Sequence, residues 1–150
     1  MKARIRIISS LLLLLFWMYF IYGMSAKTGD ESAGLSYGLV SFLYKLPFIR
    51  AIIKFDTFHT VIRKAAHFTE YGILGLLMLH FLSACGREIN HRLYVLTLGF
   101  CCIYAALDEY HQSFVAGRGP SVFDVGIDTA GAVFFIILLA LYKRVIIHSN

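Results

Sequence analysis

From Ile7 to Met24 the chain carries no charged side chain, and Lys2, Arg4 and Arg6 stand directly before that run. A bilayer core about 30 Å thick takes about 20 apolar residues of helix to cross, so this stretch is long enough to span. With no water at that depth, its backbone groups must be satisfied within the segment, which leaves the α-helix as the form it takes. A secretory signal begins in the same way, and cleavage near Gly23, Met24 and Ser25 is conceivable. The run is longer than the usual signal core, and the rest of the chain is also apolar, so an uncleaved first helix is expected.

Three further stretches match it: Ala65 to Cys85, about Leu93 to Leu107, and Val122 to Tyr142. The whole chain is 59% hydrophobic and only 15% charged, against about 25% charged in soluble domains. The expected fold is therefore all-α: a helical membrane bundle of about four transmembrane helices, with residues 1–150 forming a single domain. Short polar connections, Gly86 to Arg92 and Asp108 to Ser121, make the last three helices antiparallel neighbours. Between helices one and two, Ser25 to Lys64 is too long for a turn and too charged for a span. Leu39, Phe42, Leu43 and Leu46, then Ile49, Ile52 and Ile53 beyond Pro47, recur at helical spacing with Lys45, Arg50 and Lys54 off the stripe. That pattern predicts either an amphipathic segment in the membrane interface, with its cations among lipid headgroups, or a solvated loop packed on the bundle.

The net charge of +5 does not indicate nucleic acid, because the basic residues are scattered at segment ends and not clustered with aromatics. Membrane topology and anionic lipids account for them instead. Arginine and lysine in the short loops favour the amino end, the 86 to 92 connection and the carboxyl end over the loop that holds Arg118. Both termini are then expected on the cytoplasmic side of a multi-pass cell-membrane protein. Cys85, Cys101 and Cys102 lie in apolar stretches without metal or redox spacing and read as buried packing residues.

Helix two begins, helix three ends and helix four begins on one membrane face, and the polar residues collect there. Arg63, Lys64, His67 and Glu70 enter helix two; Asp108, Glu109, His111 and Gln112 leave helix three; Arg118 stands in the loop; Asp124 and Asp128 enter helix four. Lys64, His67 and Tyr71, then Asp108 and Gln112, then Asp124, Asp128 and Gly131, are spaced to share helix faces. Glu70 and Asp128 sit at similar depths, so they are expected to meet in one shallow pocket. Charges inside a bilayer cost about 2.5–3.5 kcal/mol each on insertion scales, so either ion pairing or function maintains them. Ion pairing would join Lys64 to one acid and Arg118 to another. The excess of acids in the deeper part argues for a cation, a shared proton or a cationic ligand group.

The runs KAAHFTEYGILG (Lys64 to Gly75) and YAALDEYHQSFVAGRGPSVFDVGIDTAGA (Tyr104 to Ala132) resemble the VanZ-like family of small bacterial membrane proteins. The DE-x-x-Q, GR and D-x-x-x-[DN]-x-x-G elements occur in order. The resemblance carries over Lys64, His67, Glu70 and Tyr71, then Asp108, Glu109 and Gln112, then Arg118, Asp124, Asp128 and Gly131. Asp128 stands where many relatives have Asn. The family's founding member is linked to low-level resistance to the glycopeptide antibiotic teicoplanin, which implies a role in envelope physiology without supplying a mechanism. His59, His80, His91 and His148 lie outside the matched motifs and read as loop or packing residues.

Two classes of function follow. In a binding role, Lys64, His67, Glu70, Tyr71, Asp108, Glu109, Gln112, Arg118, Asp124 and Asp128 hold a lipid headgroup, a cell-wall precursor or a lipoglycopeptide at the outer face. Arg118 and Lys64 would then contact phosphate or carboxylate. In a membrane-embedded hydrolase or transferase, His67, Glu70, Asp108 and Glu109 are the candidate catalytic groups, with a divalent cation as possible cofactor and a phosphorylated envelope lipid as substrate. Transport fits less well, since the polar residues gather at one end instead of crossing the span.

Overall fold

A computed structural model describes the backbone of residues 1–149 and the side chains of residues 1–145. The side chain of His148 falls outside the described residues. Six helices follow one another: α1 (Lys2–Ser25), α2 (Gly29–Leu43), α3 (Pro47–Ile52), α4 (Phe55–Ala84), α5 (His91–Gln112) and α6 (Val122–Ser149). Four of them, α1, α4, α5 and the Val122–Val145 part of α6, are long and apolar enough to cross a membrane. No strand occurs among the described residues.

The helices overrun the hydropathy-based spans where their ends leave the apolar layer. Helix α4 begins at Phe55, not near Ala65, because hydropathy reports the lipid-compatible part of a helix and nothing between Phe55 and Tyr71 breaks the backbone pattern. At 1.5 Å per residue its 30 residues span about 45 Å, well beyond the hydrocarbon core. Its first turns project past the layer and carry Arg63 and Lys64 there. Helix α5 likewise continues through Gln112, so Asp108 to Gln112 is helix and the α5–α6 connection is shorter than the sequence reading.

The expected amphipathic segment is two helices. Thr28 caps α2 with a reciprocal box: its hydroxyl accepts from the Glu31 N–H while the Glu31 carboxylate accepts from the Thr28 N–H, satisfying two free amide donors of the first turn. Those bonds hold the Glu31 carboxyl below its ordinary pKa. Pro47 opens α3 at the position where its missing N–H costs nothing. Phe48 and Ile52 of α3 stay 62% and 83% exposed, so the rest of the chain leaves the apolar face of this short helix uncovered.

Helix α6 packs mainly on α4, and glycine sets the distance. A β-carbon at Gly131 would overlap the Phe68 carbonyl, and one at Gly72 would overlap the Phe135 ring. Small residues at such crossings let backbones approach closely, which is how helices gain contact in lipid. The core below the charged end holds Leu14, Ile21, Tyr71, Leu74, Cys101, Ala105 and Ala132. A second cluster around Leu79, Leu93 and Ile136 fills the other end. Only Cys101 is buried; Cys85 and Cys102 are exposed, contrary to the packing role read for all three. In a membrane bundle the lipid-facing side is as apolar as the core, so an apolar neighbourhood in sequence does not place a residue inside.

Candidate functional site

Four chain segments meet at one end of the bundle: the end of α1, the first half of α4, the end of α5 and the start of α6. Two side-chain bonds fix α1 against its neighbours near this level. The Trp17 indole N–H donates to the Glu70 carbonyl at 2.9 Å, and the Tyr104 hydroxyl donates to the Met18 carbonyl at 2.7 Å. The α5–α6 loop then folds back over the end of α1. Gly117 adopts a φ of 72°, a conformation glycine reaches without steric cost, and a β-carbon on Gly29 would strike the Gly117 carbonyl. The Gly29 N–H donates to Ala116 O at 3.0 Å.

Arg118 is the fastener of that corner. Its Nε donates to the Lys27 carbonyl and its Nη2 to the Met24 carbonyl, both at 3.0 Å. The expected pairing of Arg118 with an acid is therefore replaced by backbone acceptors: α1 ends here, and its last carbonyls have no helical partner. Burial first, and the like charge of Arg63 second, pull the guanidinium's pKa below its ordinary value. Lys64 does pair with an acid, Asp124, with its ammonium 5.4 Å from the centre of the Phe123 ring. The pair is about one-third exposed on both sides, which makes it a modest contributor to stability.

Around these groups lies a partly open cavity of about 230 Å3, lined by Arg63, Lys64, His67, Glu109, Gln112, Arg118, Asp124 and Asp128 together with Thr60, Gly117, Gly119 and Ile127. The Glu109 carboxylate accepts from the Ser121 N–H at 2.7 Å, so the loop holds this acid in place. Asp128 is 1% exposed, and its Oδ1 has no hydrogen-bond partner. A second cleft of about 200 Å3 adjoins the first, lined by Met24, Leu35, Leu39, Ile62 and Ala66 among others, and shares Arg63, His67 and Arg118 with it.

The residues singled out from sequence divide among three places. Lys64, His67, Glu109, Gln112, Arg118, Asp124 and Asp128 line the charged cavity. Glu70 lies in the adjoining cleft, not with Asp128, and its Oε2 is 3.7 Å from His67 Nδ1, too long for a hydrogen bond. Tyr71 and Asp108 line neither cleft. Tyr71 is fully buried with an unpaired hydroxyl, and Asp108 Oδ2 accepts from Gln112 Nε2 at 3.0 Å. Among the described residues, no three His, Cys, Asp or Glu side chains converge closely enough to hold a metal ion. Thr60 was not singled out from sequence; extending the helical spacing of Lys64 one turn backward reaches it.

The family model described as VanZ/LLP1 matches residues 10–143. No curated protein and no solved structure matches the chain.

Proposed function

The chain belongs to the VanZ-like family, and from that premise we propose that it is a cell-envelope membrane protein whose charged cavity binds the phosphate-bearing headgroup of an envelope lipid or cell-wall precursor. One observation carries this reading. Arg63 and Arg118 line the same cavity, and neither forms an ion pair with a carboxylate among the described residues. Two guanidinium groups that line one cavity, neither of them ion-paired, can form an anion site, since Arg is weakly hydrated and matches phosphate oxygens with its fork of donors. At about 230 Å3 the cavity is smaller than the pockets of about 300–1,000 Å3 that drug-sized ligands occupy, a size for a headgroup and not for a whole lipid.

The loop charge bias favours cytoplasmic termini, which puts the cavity at the outer face. There, retention of a lipid or lipid-linked precursor would alter the surface on which a glycopeptide acts. Teicoplanin carries a lipophilic tail that brings it to the bilayer, whereas vancomycin has none, so sensitivity to teicoplanin is expected to fall more. Inhibitory concentrations for both drugs, measured in a susceptible Gram-positive host expressing the protein, test this. Arg63→Gln at equal accumulation serves as the control. An otherwise Cys-free protein with Cys at position 115 should label with an impermeant thiol reagent in the same intact cells. Equal shifts for both drugs, or a shift that survives Arg63→Gln, would remove the resistance role; labelling only after lysis would reverse the orientation.

A further inference from the structure

The charged cavity and the cleft beside it share Arg63, His67 and Arg118, so a single molecule can occupy both. The cavity is polar and balanced in sign. Lys64 and Asp124 neutralise each other, which leaves Arg63 and Arg118 facing Glu109 and Asp128. A bare phosphate would satisfy only the first pair. The second pair includes a carboxylate oxygen, Asp128 Oδ1, that is buried and has no partner. A buried acceptor of this kind is costly until a donor reaches it, and the most favourable donor for a carboxylate is a cation.

The adjoining cleft is of the opposite character. Leu35 and Leu39 of α2, Ile62 and Ala66 of α4, and Met24 of α1 give it apolar walls beside Arg63, Arg118, His67 and Glu70. Its charged floor and apolar walls match a ligand with a headgroup at one end and a hydrocarbon chain at the other. The geometry points to a phospholipid whose headgroup carries both a phosphate and a primary ammonium, with the phosphate at Arg63 and Arg118, the ammonium at Asp128 and Glu109, and an acyl chain in the α1–α2–α4 cleft. This rests on the phosphate-binding reading above and narrows it to amine-bearing lipids.

Competition in mixed micelles tests it, with phosphatidylethanolamine against phosphatidylglycerol of matched chains and the full-length protein. The wild type is expected to retain the ethanolamine lipid about tenfold better, the scale of one charge-assisted contact. Asp128→Asn keeps the side chain's shape and should bring the two lipids within about twofold, with phosphatidylglycerol still bound. Glu109→Gln should reduce the preference in the same direction, which covers the case in which Asp128→Asn fails to fold. Ala66→Trp fills the cleft and should weaken both lipids together. Equal retention of the two lipids by the wild type would overturn the amine assignment while leaving the phosphate reading intact. Unchanged retention in Ala66→Trp would overturn the chain's placement. Failure of the wild type to retain either lipid would overturn both this proposal and the reading it rests on.

Discussion

Replacing Gly131 with Leu is expected to abolish accumulation of the protein in membranes, while Gly126→Leu, five residues earlier on the same helix, is tolerated. A β-carbon at Gly131 overlaps the Phe68 carbonyl of α4, whereas one at Gly126 meets nothing within 4 Å. Overpacking against movable side chains costs about 1–3 kcal/mol, but here the obstacle is backbone in the middle of a helix. The only relief is to push α6 away from α4. That separation would undo the Gly72–Phe135 and Gly75–Ala132 contacts and open the cavity between Lys64 and Asp124. Immunoblots of membrane fractions with matched transcript levels read the outcome. Equal accumulation of the two variants would mean that the α4–α6 crossing is looser than described.

The second large effect concerns Arg118. Arg118→Ala removes the bonds to the Lys27 and Met24 carbonyls and leaves those acceptors without a partner at a half-buried corner. Hydrogen bonds to charged groups contribute about 1.5–3 kcal/mol each; because this corner retains some access to water, a net loss of about 2–3 kcal/mol is expected. At about 2–4 °C per kcal/mol for a chain of this length, the melting midpoint in detergent should fall by about 5–10 °C. Arg118→Lys should recover little of it, since an ammonium cannot span two divergent carbonyls as the guanidinium fork does. Differential scanning fluorimetry compares the three proteins. An unchanged midpoint in Arg118→Ala would show that the loop does not depend on this residue and that its charge serves the ligand alone.

The four membrane helices were legible in the sequence because a hydrocarbon solvent imposes a length and an apolar composition that few other structures need. What the apolar runs could not show is where helix continues beyond the bilayer. The Phe55 to Lys64 extension of α4 and the last turn of α5 are polar enough to look like loop, yet they carry Arg63 and Gln112 to the cavity. Helical spacing placed Lys64, His67 and Gln112 well, and it also explains why Glu70 was misplaced. With about 3.6 residues per turn, His67 is turned about 60° from Lys64 and Glu70 about 60° further in the same sense. Glu70 therefore faces the α1–α2 side, while Lys64 faces α6. Similar depth along the bundle axis was not enough to bring Glu70 and Asp128 together, because depth says nothing about rotation.

The partner of Arg118 was out of reach for another reason. Its acceptors are backbone carbonyls at the end of α1, about ninety residues earlier in the chain, and a carbonyl leaves no mark in a sequence. The contribution of α2 to the second cleft was equally hidden. The amphipathic pattern around Leu39 indicates an apolar face but does not distinguish lipid from α4 as the surface that covers it.

The most direct measurement of the central claim is native mass spectrometry of the full-length protein extracted in mild detergent, wild type beside Arg63→Gln. Arg63 lines both clefts and makes no ion pair among the described residues, so its loss should leave the fold in place and remove half of the anion site. The wild type is predicted to carry one phosphate-bearing lipid per chain through detergent exchange, and Arg63→Gln, at an unchanged melting midpoint, to fly bare. A wild-type protein that appears without lipid, or that carries a stoichiometric divalent metal ion and no lipid, would contradict the account, and the second result would favour hydrolytic chemistry at His67 and Glu109 instead.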